Sequence, residues 1–82
     1  MNRTYYTLRT SNDIYGNRIA GGEQETWPEQ FETFAEAYDY MCLLYTNEKN
    51  KNLPHRYWGV WRTSVSEYNG HENSMTQAVW GA

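Results

Sequence analysis

Fourteen aromatic residues stand against nine Leu, Ile and Val in this chain of 82 residues, and that ratio constrains the fold more than any motif. Leu, Ile, Val and Phe together make eleven positions, about 13%, a level at which disorder is normally suspected. Disorder also requires high net charge and few rings. Here the formal charge is −3 and aromatics reach 17%, so an ordered chain is expected. Its core must be assembled from Trp, Tyr, Phe and Met. Large rings suit a chain of this size, because each buries roughly 150–250 Å². One domain over residues 1–82 follows from the length.

Several function classes are excluded early. The longest apolar run, Tyr40 to Tyr45, is six residues, far short of the ~18 needed to span a bilayer as a helix. The N-terminal Met-Asn-Arg-Thr-Tyr-Tyr lacks the apolar stretch of a secretory signal. Cys42 is the single cysteine, which excludes an internal disulfide and a multi-cysteine metal site. A reduced, cytoplasmic setting is therefore expected, with no cofactor and no metal.

The local signals place four regions. Thr33-Phe34-Ala35-Glu36 has the form of a capping box and predicts a helix beginning there. Phe34, Ala37, Tyr38, Met41, Leu44 and Tyr45 recur at helical spacing, and the helix should end near residues 46–49. Leu43 falls opposite this stripe. Residues 56–66, rich in aromatic and β-branched side chains, predict a strand, and Asn69-Gly70 predicts a type I′ hairpin returning over 74–80. Counting outward from that loop sets Trp61 opposite Ala78, Val60 opposite Val79, and Gly59 opposite Trp80. Residues 4–10 predict a first strand and 14–20 a second, whereas 23–31 reads as extended or irregular. The expected fold class is α+β: an antiparallel sheet of about four strands, order β-β-α-β-β, with one helix on one face.

One helix covers one face of such a sheet. The alternation puts Trp58, Val60 and Val79 on one side and Tyr57, Trp61, Val65 and Trp80 on the other. Two outcomes are open. Either one aromatic face remains available to a partner, or the 23–31 segment, with Trp27 and Phe31, folds over it.

Charge is segregated. Glu23, Glu25, Glu29, Glu32, Glu36 and Asp39 form an acidic middle third without Lys or Arg, and Lys49, Lys51, Arg56 and Arg62 follow beside His55. An acidic strip steers and orients a charged partner. Carboxylates on a compact body also suit a mimic of nucleic acid, although six is a modest number. Segment 49–62 interleaves cations with Tyr57, Trp58 and Trp61, the arrangement needed to stack single-stranded nucleic acid. The acidic balance, with a pI near 5.2, weighs against that role.

Catalytic constellations are thin. His55 and His71 are the two histidines and have no metal-pair spacing. No phosphate-binding glycine loop or nucleophile elbow occurs. Glu67 and Glu72 would flank the hairpin turn in solvent. The expectation is a non-enzymatic inhibitor or adaptor that binds another protein. Tyr57, Trp58, Trp61 and Trp80 would be its anchors, and Glu25, Glu29, Glu32, Glu36 and Asp39 the strip facing a basic surface. Small acidic proteins of phages and mobile elements that block a host nucleic-acid-handling or defence protein, as anti-CRISPR proteins do, are the analogy in size and chemistry. The alternatives are single-stranded nucleic-acid binding through Lys49, Lys51, Arg56 and Arg62, or a homo-oligomer, such as a homodimer, that buries the aromatic face or a sheet edge.

Overall fold

The computed structural model describes residues 2–12 and 24–81. Strand β1 (Arg3–Ser11) is followed by the two-residue β2 (Glu25–Thr26), helix α1 (Phe34–Asn50), and the hairpin β3 (Tyr57–Tyr68) and β4 (His71–Gly81). The four strands form one antiparallel sheet in the order β2-β1-β3-β4. The protein is α+β, as the sequence predicts. The expected strand over residues 14–20 lies outside the described residues. The observed β2 falls instead in the segment read as extended, pairing with Arg9 and Thr10.

Helix α1 begins where the capping box predicts. The Glu36 backbone N–H donates to Thr33 Oγ1 at 3.2 Å, and the Thr33 hydroxyl donates to Glu36 Oε1 at 3.0 Å. The helix runs past its expected end, through Asn50, because Asn52 supplies a stop that composition does not announce. With φ at 56°, Asn52 takes the left-handed conformation. Its N–H donates to Lys49 O, and that of Leu53 to Glu48 O, both at 3.1 Å. This is a Schellman motif, which satisfies carbonyls the helix would otherwise leave free.

Asn69 and Gly70, both at positive φ, form the hairpin loop. From there the register follows the sequence prediction as far as Trp61 opposite Ala78. A bulge between Val60 and Trp61 then shifts it, so Val60 faces Trp80 and Gly59 faces Gly81. The predicted pairs Val60–Val79 and Gly59–Trp80 are thus corrected. The extra residue also corrects the side assigned to Trp80. Its ring comes over the helix-bearing face and meets Tyr38 edge-on at 5.5 Å.

The core lies between α1 and the centre of the sheet: Leu8, Ala37, Met41, Trp58 and Val60, flanked by Tyr6, Trp27, Phe31 and Tyr40. Trp27 packs on Trp58 with ring centroids 5.3 Å apart, and Phe31 on Tyr40 at 5.4 Å. These two residues of the 23–31 segment therefore complete the helix-side core. They do not cover the opposite face.

Candidate functional site

The opposite face holds Tyr5, Thr7, Tyr57, Trp61, Thr63 and Val65, by the alternation of β1 and β3. It does not present the expected exposed anchors. Trp61 is only 8% exposed, and Thr7, Thr63 and Val65 are buried with it. The Arg9 guanidinium lies 4.2 Å from the Trp61 ring centroid and donates from Nη1 to Gln24 Oε1 at 2.9 Å. Burial draws the Arg9 pKa below its ordinary value. Trp58, at 4% exposure, belongs to the helix-side core. Both tryptophans act in the fold, and the expectation that they serve as exposed anchors is corrected.

Tyr68, 73% exposed, stands alone at the hairpin tip, and a group of exposed and half-buried rings gathers at the seam where α1 ends its cover of the sheet. The helix packs over β1 and β3. Beyond that contact runs a chain of rings: Tyr6 meets Phe34 edge-on at 6.3 Å, Phe34 stacks on Tyr38 at 5.7 Å, and Tyr38 meets Trp80. Tyr6, Tyr38 and Trp80 are half-buried, whereas Phe34 is exposed. Next to this chain is a groove of about 370 Å³ lined by Tyr38, Met41, Cys42, Tyr45, His55, Tyr57 and Trp80 among others. A second groove of about 350 Å³ adjoins it, sharing Tyr45, His55, Arg56 and Trp58 and adding Leu53 and Pro54. Tyr45 and Leu53, 42% and 51% exposed, stand at its mouth. His55 packs edge-on against Tyr57 at 5.1 Å. Of the predicted anchors, Trp80 lines this seam, and Tyr57, the first residue of β3 and on the opposite face by alternation, also borders the groove.

Arg56 closes the floor of both grooves and is occupied there. Its Nε donates to Glu48 Oε1 at 3.0 Å, its Nη2 pairs with Glu48 Oε2, and its Nη1 lies 3.7 Å from Glu25 Oε2. The cation also sits over two rings, 5.0 Å from the Trp58 centroid and 5.5 Å from that of Trp27. A guanidinium held by two carboxylates and two indoles cements the 24–27 segment to the helix end. It is not a free phosphate ligand. Of the other cations proposed for nucleic acid, Lys49 and Lys51 are exposed and Arg62 is half-buried opposite Tyr6 and Gln77.

No protein-family model, curated protein or solved structure matches this chain. The site's own chemistry carries the functional reading.

The acidic strip is dispersed. Glu25 is engaged with Arg56, and Glu29 is half-buried. Glu32, Glu36 and Asp39 remain exposed, with Glu36 also in the capping box. At roughly 100° per residue, Glu36 projects about 180° around the helix from Tyr45, which is nine positions later. The helical acids Glu36 and Asp39 therefore lie away from the seam on α1, so aromatic anchors and acids do not share one surface. Leu43, 56% exposed, lies on the acidic flank.

Phe34, Tyr38 and Tyr45 of the predicted apolar stripe reach the seam, Tyr38 half-buried against the core and the other two exposed. The signal that sets them apart from the buried stripe is angular. They sit ~60–100° around the helix from Ala37, the centre of the buried stripe. Tyr38 and Cys42 are one turn apart in the groove wall. The charge on Cys42, then a hydrogen bond to it, raises the Tyr38 phenol above the ordinary tyrosine range, with burial and Asp39 adding to the effect. The histidines stay apart: His55 precedes β3, while His71 opens β4 at the hairpin tip. Glu67 and Glu72 do face each other across the hairpin, both exposed. Among the described residues no cluster of His, Cys, Asp and Glu could hold a metal, and no helix is long and apolar enough to cross a membrane.

Proposed function

We propose that this protein is a non-enzymatic binding module, an inhibitor or adaptor, that docks on another protein through the aromatic seam between α1 and β4. The observation that carries this reading is the run of exposed and half-buried rings, Phe34, Tyr38, Tyr45, Tyr57 and Trp80, around an apolar groove with Lys49 and His55 nearby. Tyr and Trp dominate the energetics of protein interfaces because they bring large area at low entropic cost. An apolar patch rimmed by polar groups is the usual form of such a site. The acidic flank supports a second role, orienting the approach to a basic surface from the other side of the helix. The exposed thiol of Cys42 suits a reducing compartment.

Affinity capture from a lysate of the source organism, comparing wild type with Tyr45→Ala and Tyr57→Ala, tests the proposal. A protein bound stoichiometrically by wild type should be lost from both variants, at about 2 kcal/mol or more of binding energy for each anchor. Capture that ignores both changes overturns the site. Recovery of nucleic acid in place of protein overturns the function.

A further inference from the structure

The sheet has two unequal edges. At one, β2 is two residues long, and its segment occupies the outer side of β1. There the Trp27 N–H donates to Leu8 O at 2.9 Å, and Tyr6 and Phe31 exchange both backbone bonds. At the other edge β4 runs eleven residues, and among the described residues it pairs with β3 alone. Its side chains are exposed from His71 through Ala78. Between Asn73 and Gly81 it carries neither a charge nor a proline. Natural sheets protect edges of this length with Lys, Pro or a bulge, and the bulge in β4 comes only near its end.

The geometry of the loop fixes which groups this edge offers. In a two-residue hairpin the closing pair, here Tyr68 and His71, exchanges both backbone bonds. Alternation then turns the N–H and C=O of Glu72, Ser74, Thr76 and Ala78 outward, away from β3. Met75 lies between them, 69% exposed.

We propose that β4 pairs with β4 of a second copy, antiparallel about a two-fold axis at Met75, joining two sheets into one. In this register Ser74 stands opposite the second copy's Thr76, Asn73 opposite Gln77, and Glu72 opposite Ala78. Each outward-turned backbone group between Glu72 and Ala78 finds a partner. Met75 faces its own counterpart at a non-hydrogen-bonded position, where side chains approach most closely. No carboxylate faces another across the axis. A neighbouring self-register centred on Ser74 or Thr76 would instead set Met75 against Asn73 or Gln77. An isologous contact of this kind closes at two copies.

Sedimentation velocity over a concentration series, with wild type, Met75→Lys and Met75→Glu, tests the pairing. Wild type should move from monomer to dimer as concentration rises. Each variant places like charges on the axis and should raise the dimer Kd about tenfold or more. An equimolar mixture of the two variants should restore the dimer, since opposite charges then meet. Neither substitution touches the core. A wild-type monomer at every concentration overturns the proposal and leaves the edge to an extended segment of another protein. A dimer indifferent to both variants also overturns it.

Discussion

Arg56 shows how much one side chain decides in a protein poor in aliphatic residues. Guanidinium stacking on Trp27 and Trp58 lets a cation close a core that Leu or Ile would close in a larger domain. Its partner Glu48 is 18% exposed at the side chain, so the pair is only partly screened. Tyr38 makes a different point, because its environment is readable in a titration. With the phenol raised chiefly by the charge on Cys42, the folded state holds that proton more tightly than the unfolded chain. The stability this contributes is complete below the ordinary tyrosine range. It is lost as pH climbs through the folded-state value. Replacing Cys42 with Ser should bring the Tyr38 titration down toward the ordinary range and flatten the alkaline loss of stability. Ultraviolet titration of the phenols checks this. An unmoved titration would show that Cys42 is not the cause.

Two turns hold the elements in place, and both use the left-handed region. Asn69 and Gly70 close the hairpin at φ 51° and 77°, and Asn52 ends the helix at 56°. A Cβ at Gly70 would meet nothing within 4 Å, so the cost of Gly70→Ala is conformational and not steric crowding. It should destabilise by about 1 kcal/mol. Asn52→Gly should do the reverse, stabilising by several tenths to about 1 kcal/mol, since Gly adopts the Schellman position without strain. Denaturant unfolding of the two variants measures both. Equal signs would contradict the assignment of these turns. The hairpin turn was legible because Asn-Gly is a two-residue signal with a local mechanism. The helix stop was not, because Asn52 sits in a run of Asn and Lys where any of several residues could have taken that role.

At the scale of the molecule, the radius of gyration is 14.0 Å, against about 12 Å for a compact domain of this length. The β3–β4 hairpin accounts for part of the excess: residues 66–73 extend beyond the last pairing with β1 at Val65. The surfaces are also divided around the helix, with the aromatic seam on one flank of α1 and Glu36 and Asp39 on the other. The separation predicts different kinetic effects. Reversing Glu36 and Asp39 to Lys should slow association with a basic partner and weaken its salt dependence. Dissociation should change little, because the anchors lie on the far flank. Stopped-flow binding over a salt series separates the two rates, and a change confined to dissociation would place the acids inside the contact.

The legible part of this fold rests on short-range physics. A threonine and a glutamate three residues apart start the helix, an Asn-Gly pair turns the hairpin, and alternation in β3 opposes Trp58 to Trp61. Each depends on groups within a few positions, so neighbouring residues suffice to specify it. The class, the helix start and the register as far as Trp61 follow from these. The division of rings between core and seam does not. Trp80 joined the helix side because a bulge near the end of β4 moved it by one position, and Trp27 reached Trp58 because a distant segment packed under Arg56. Both outcomes depend on which surfaces meet after the chain has folded back on itself. The surplus of aromatics thus guaranteed a ring-built core. Tertiary packing alone left Phe34 and Tyr45 exposed and Tyr38, Tyr57 and Trp80 half-buried at the seam.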